Sequence, residues 1–164
     1  MMANGNRVLG ALVMISMLTM LFACASKPPE DVVLKGSVQA VENVNPDSEG
    51  RPSPLVIKVF QLKSKDKFEL ADFFPLFDEA QATLGADMLA VEDIMLSPGD
   101  IRPYEGKFDP QTRYIGVIAA YRDINQAQWK TLLEMPEKGI LDFFKGDGIN
   151  IKAESLAISV TVDD

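Results

Sequence analysis

The sequence predicts a mainly β domain, a sandwich of about seven or eight short strands with one or two helical inserts, behind a processed N-terminal segment. Three observations predict it. From Val32 onward most stretches alternate apolar and polar residues with period two. Turn signals rich in Gly, Pro, Asn and Asp separate those stretches at short intervals. One segment, "KDKFELADFFPLFDEAQATLG", breaks the alternation. At 164 residues the chain has the size of one domain and can bury a core without disulfide staples.

The first element is not part of that domain. "MMANGNR" is polar and ends in Arg7, and the apolar run Val8 to Ala23 follows. This is the layout of a secretory signal peptide. The run is shorter than the ~20 residues a transmembrane helix needs and contains Gly10, Ser16 and Thr19, which disfavours a permanent single-span anchor. The only cysteine, Cys24, stands at its end. Leu21-Phe22-Ala23-Cys24 resembles the lipobox of bacterial lipoproteins, with Phe22 as a departure from the usual small residue. The thiol serves there as the attachment point for diacylglycerol, and the small residue before it admits the peptidase. Residues 1–23 are then a lipoprotein signal peptide and 24–31 an acylated cysteine with a periplasmic tether. Several acyl chains hold a protein at a bilayer far more firmly than one, at ~0.8 kcal/mol per buried methylene. By resemblance to enterobacterial-type lipoproteins, the absence of Asp after Cys24 favours the outer membrane. "SKPPEDV" reads as an extended tether, since consecutive prolines favour polyproline II.

The domain proper spans 32–164. "VVLKGSVQAV" sets Val32, Leu34, Val38 and Ala40 on one face and Lys35, Ser37 and Gln39 on the other. "ENVNPDSEGRPSP" is a long loop, and loops of that length in compact domains are often binding elements. "PLVIKVFQL" is apolar throughout, as a strand covered on both sides would be. In the interrupting segment Asp72 is placed to cap a short helix through "FFPLF", with Pro75 in its first turn and Gly85 closing the segment. "DMLAVEDIML" alternates again and ends at the turn "SPGD". "IRPYEGKF" is an edge strand, because Pro103 cannot donate to a ladder. "YIGVIAAY" is the most apolar strand and is expected at the centre of a sheet. "NQAQWKTLLEMP" fits both helical and strand spacing. "KGILDFFKGDG" holds a short apolar cluster before a turn, and "NIKAESLAISVTVDD" reads as a last strand with Leu156, Ile158, Val160 and Val162 facing inward.

Composition excludes much chemistry. Sixteen basic residues against 24 acidic ones give a net charge of −8, with the basic residues scattered, which disfavours nucleic acid and anionic lipid as partners. Without histidine there is no Ser-His-Asp triad, Cys-His dyad or histidine-ligated metal site. Glu92 and Asp93 are adjacent on a strand and so point to opposite faces, unlike a converging carboxylate pair. Arg122-Asp123 reads as a strand-end ion pair rather than a polar binding pair, and Trp129 with the Phe73-Phe74 and Phe143-Phe144 pairs as packing residues, although an exposed aromatic among them would suit an interface. No cofactor and no enzymatic activity are expected. An acidic, lipid-tethered β domain with one long proline-rich loop suggests an adaptor. A carrier of a small ligand or cargo is the alternative, and it requires a concave apolar pocket.

The stretches "NPDSEGRPSPLVIKVFQLK", "ADFFPLF", "LGADMLAVEDIMLSPGD" and "YIGVIAAYRDINQAQWK" resemble the type VI secretion lipoprotein family (TssJ, also called SciN). The resemblance covers about Val32 to Val162. It implies a transthyretin-like sandwich of two four-stranded sheets with a small helical addition, and it assigns "QAQWKTLLEMP" to a strand. It also implies an outer-membrane lipoprotein facing the periplasm. Such a protein holds the periplasmic C-terminal region of the TssM-like inner-membrane subunit and, indirectly, TssL. In the family the first inter-strand loop is implicated in that contact. The matching positions here are Asn45, Pro46, Asp47, Gly50, Arg51, Pro52 and Ser53, with Arg51 foremost because a guanidinium makes directional contacts. An Arg51 that only pairs within its own loop is the competing reading.

Overall fold

Leu55–Leu62 forms a strand, β2, that is buried on both faces. Leu55, Ile57 and Val59 enter one apolar cluster, while Phe60 and Leu62 enter another. The continuous apolar run therefore marks a strand between two layers. The computed structural model describes residues 31–135 and 148–162. Before β2 comes β1, Val32–Ala40, and after it three short helices, α1 (Asp66–Leu70), α2 (Phe73–Asp78) and α3 (Ala80–Leu84). A 3-10 turn over Gly85–Asp87 leads to β3 (Met88–Leu96), β4 (Ile101–Phe108), β5 (Tyr114–Ala119), β6 (Lys130–Glu134), β7 (Ile149–Ala153) and β8 (Ile158–Val162).

The strands form two four-stranded sheets, ordered β4-β1-β7-β8 and β3-β2-β5-β6. Only β1 and β7 pair in parallel; the other neighbours are antiparallel. Leu34, Ile57, Val117 and Ile151 are fully buried in the space between the sheets. A second cluster lies between the second sheet and the helices, built from Phe60, Leu62, Phe68, Leu76, Leu84 and Ile118. Gly116 on β5 makes room for it, since a Cβ there would lie 2.5 Å from the Phe68 ring.

Most sequence expectations hold in detail. Val32, Leu34, Val38 and Ala40 are the buried face of β1, Pro103 lies on an edge strand, and β5 is internal. Residues 130–134 form a strand, as the resemblance implied, because Tyr114 to Ile118 supply a ladder for them. Pro75 does fall in the first turn of α2 and Asp72 does occupy its N-cap position, but the Asp72 side chain makes no capping hydrogen bond. Gly85 closes α3 with φ +58°, a conformation that favours glycine.

Two expectations change. The segment read as one last strand is a hairpin, because Glu154–Ala157 turns the chain so that Ile149 pairs with Val162 and Ala153 with Ile158. Alternation continues across the turn, so periodicity alone cannot reveal it. The helical insert comprises three short helices, since Ala71 and Glu79 leave helical geometry and divide it. Phe143-Phe144, the signal peptide and Cys24 lie outside the described residues.

Candidate functional site

The loop 41–54 is anchored by its own buried residues. Val44 is fully buried in the inter-sheet core, and its carbonyl accepts the Ser53 N–H at 3.1 Å, closing the loop's neck. Asn45 is 2 % exposed and adopts φ +49°, which Asn tolerates better than most residues. Its Nδ2 donates to the Pro54 carbonyl at 2.9 Å, and its Oδ1 accepts the Arg122 N–H at 2.7 Å. Its backbone N–H donates to the Ser155 carbonyl at 3.0 Å. One side chain thus ties the loop to the segment after β5 and, through its backbone, to the β7–β8 turn.

Beyond this neck the tip is organised around Asp47. Its Oδ1 accepts the Glu49 and Arg51 N–H groups, each at 2.9 Å, and its Oδ2 accepts Arg51 Nε at 2.8 Å. The Asp47 N–H donates to the Arg51 carbonyl and the Gly50 N–H to the Asp47 carbonyl, both at 2.9 Å. Gly50 takes φ +77° to close the turn. The Arg51 backbone N–H and then its guanidinium hold the Asp47 carboxyl below its ordinary value of 3.8. Arg51 also reaches Glu49, Nη1 to Oε2 at 3.0 Å, while its side chain remains 68 % exposed.

The seven sequence-predicted positions therefore separate by role. Asn45 and Ser53 are buried and hold the loop; Pro46 and Asp47 are half-buried; Gly50, Arg51 and Pro52 are exposed at the tip. Arg51 pairs within its own loop, and it does so with its outer face open. The sequence reading passed over Val44, whose apolar side chain amid polar neighbours was the available signal. Arg122 and Asp123 do not pair with each other: the Arg122 N–H goes to Asn45, and Asp123 closes its own turn by accepting the Gln126 N–H.

The strand directions place this loop at one end of the sandwich together with the β3–β4 turn, the segment 120–129 and the β7–β8 turn. The Gly99 N–H donates to the Val41 carbonyl, and Tyr121 Oη donates to the carbonyls of Glu154 and Ala157. The chain enters β1 at the opposite end, where Val32 pairs with Phe108. Nine residues of strand separate the two ends, roughly 30 Å at ~3.3 Å per residue.

Residues 33–163 match the profile of the type VI secretion lipoproteins, the group that includes VasD, EvfM and TssJ. The chain belongs to this family. Among solved structures it is similar to the T6SS lipoprotein TssJ1 from Pseudomonas aeruginosa, at 33% identity and a TM-score of 0.73, covering 83% of this chain and 98% of that one. It is likewise similar to Serratia marcescens Lip, described as a membrane-bound component of the type VI secretion system, at 29% identity and a TM-score of 0.69, covering 81% and 98%. A structure described as the TssM C-terminal domain from EAEC matches at 22% identity and a TM-score of 0.58, covering 79% and 97%, and shares the fold. No curated protein sequence matches significantly.

The remaining candidates for chemistry are accounted for locally. Glu92 accepts the Tyr104 hydroxyl at 3.0 Å, while Asp93 on the opposite face is held by Lys58 at 2.8 Å, so the two carboxylates diverge. Burial and the neighbouring Glu92 raise the Tyr104 phenol above its usual range. A groove of about 410 Å³ runs along the β3–β4 seam, but charged groups of Glu92, Asp93, Arg102 and Glu105 line it. The space between the sheets is occupied by the buried side chains named above.

Proposed function

We propose that this lipoprotein is a structural adaptor of the type VI secretion membrane complex. It is acylated at Cys24, held at the periplasmic face of the outer membrane, and binds the periplasmic C-terminal region of a TssM-like inner-membrane subunit, with TssL engaged indirectly. The observation that carries this reading is the placement of a pre-ordered loop at the end of the sandwich remote from the chain's entry into β1. The eight residues of the tether span at most about 29 Å, so an anchor at Cys24 would keep the end where the chain enters β1 within that distance of the membrane. The internal pairs of Asp47, Glu49 and Arg51 order the tip before a partner arrives, which lowers the entropy cost of association. Family membership supports the same role.

The test is a binding titration between the domain beginning after Cys24 and the periplasmic C-terminal region of the TssM-like protein from the same cell. Arg51→Glu is expected to weaken binding by about tenfold, or ~1.4 kcal/mol. Unchanged binding would move the contact off the loop tip. No binding between two folded proteins would overturn the adaptor role.

A further inference from the structure

The end of the sandwich opposite the loop carries cations without acidic partners. Lys63 follows β2, Lys107 lies near the end of β4, and Arg113 immediately precedes β5; all three are exposed, and none forms an ion pair among the described residues. They are scattered in sequence and gathered by the fold. The Gln61 side chain binds the Lys107 carbonyl at 2.7 Å, and the Arg113 N–H donates to the Leu62 carbonyl at 2.8 Å. Lys63 and Arg113 share a recess of about 390 Å³ with Tyr114, Glu134 and Met135. The neighbouring Lys65 and Lys67 are engaged, by Glu69 and Asp87 respectively. Among the described residues Glu134 is the one acid lining the recess.

We propose that this end docks on the anionic phospholipid headgroups of the membrane that holds the protein, with Lys63 and Arg113 as the phosphate-facing groups. The inference rests on the anchoring reading above, and two observations select a bilayer as the occupant. The chain leaves the described structure at Asp31, beside Phe108 and the Lys107–Arg113 segment, so an anchor at Cys24 holds this end within a tether's length of the headgroups. The free cations also set this end apart: Asp31, Asp66, Asp87, Asp109 and Glu134 lie at the same end, but among the described residues neither Lys63 nor Arg113 is bridged to any of them. At the loop end Glu42, Asp47, Glu49, Asp100, Asp123 and Glu154 outnumber Arg51, Arg122 and Lys152, so an anionic surface repels that end. The screening length at physiological salt is about 8 Å, so only the near end senses the surface. Attraction at one end and repulsion at the other orient the sandwich with its loop outward, although the net charge of −8 opposes general adhesion.

The experiment uses the mature acylated protein reconstituted in vesicles. A fluorophore is attached to a cysteine introduced at Gln111→Cys on the near end or Ser48→Cys on the loop, and a quencher is carried on lipid headgroups. Replacing part of the phosphatidylcholine with phosphatidylglycerol is expected to increase quenching at Gln111→Cys several-fold and to leave Ser48→Cys unquenched. The double variant Lys63→Glu/Arg113→Glu should abolish that lipid dependence, and the milder Lys63→Gln/Arg113→Gln should reduce it with the fold unaffected. Quenching at Gln111→Cys that ignores both lipid charge and the substitutions would overturn the docking surface while leaving the anchor intact. Binding of inorganic phosphate with no effect of phosphatidylglycerol on orientation would also overturn it. A protein that floats with neither kind of vesicle would overturn the anchor and the docking surface together.

Discussion

Asp47 serves three donors within its own loop, so its negative charge is part of the loop's architecture. Because its folded pKa lies below 3.8, the charge stabilises the loop fully at pH values above that, and the contribution fades as pH falls through the lowered value. Amide exchange at Glu49 and Arg51, followed from pH 6 downward, is expected to stay protected to below pH 4 and then rise, ahead of exchange in β2 and β5. Asn45 has a different role despite lying two residues away. Asn45→Ala leaves the Arg122 N–H and the Pro54 carbonyl without their partner in a part-buried setting, at an expected cost of about 1 kcal/mol, which denaturant unfolding measures. The sequence showed an Asn-Pro pair in a turn-rich loop; it did not show that this Asn points inward, because the partner Arg122 lies 77 residues away.

At the scale of elements, two glycines show how closely neighbouring elements approach, one within a sheet and one between a sheet and the helices. Gly36 lies on the inward-facing parity of β1, where a Cβ would sit 1.8 Å from the Ile149 carbonyl oxygen. Gly116 on β5 faces the helical insert, where the obstacle is the Phe68 ring at 2.5 Å. Gly116→Ala is expected to cost about 1–3 kcal/mol as the ring is displaced. Gly36→Ala should cost more, because backbone must move and the parallel β1–β7 ladder with it; chemical denaturation of both variants gives the ranking. The helical insert is held from below by Lys130, whose Nζ donates to the carbonyls of Phe68, Glu69 and Ala71 at the end of α1. Burial lowers its pKa against the opposing influence of Asp72 and Glu69. Nothing in the spacing of Lys130 within "AQWKTLLE" announces that contact.

Over the whole molecule, the antiparallel arrangement of β1, β2 and β4 assigns the two ends different tasks. One end receives the chain entering β1 and carries Lys63, Lys107 and Arg113, which form no ion pair among the described residues; the other collects the ordered loop with Glu42, Asp47, Glu49, Asp100, Asp123 and Glu154. Between them the two sheets are closed on one side by Gln128, which bridges β8's approach at Ala157 and Ile158, and latched on the other by Tyr104 with Glu92 and by Arg102 with the Met95 carbonyl. A body stiffened on both sides resists deformation between its ends, which suits the adaptor role proposed above.

By itself the sequence determined the mainly β class, the two-sided burial of β2, the edge position of "IRPYEGKF", the central position of "YIGVIAAY" and the existence of a long loop. Each is a local consequence of side-chain period, proline chemistry or turn composition, and each is legible within about ten residues. Only the tertiary structure decided that "NIKAESLAISVTVDD" folds back as a hairpin, that Asn45 faces inward while Arg51 faces out, and that Lys63 and Arg113 share a recess. Those facts depend on pairings between residues tens of positions apart, and hydrophobic periodicity carries no information about which strand lies beside which.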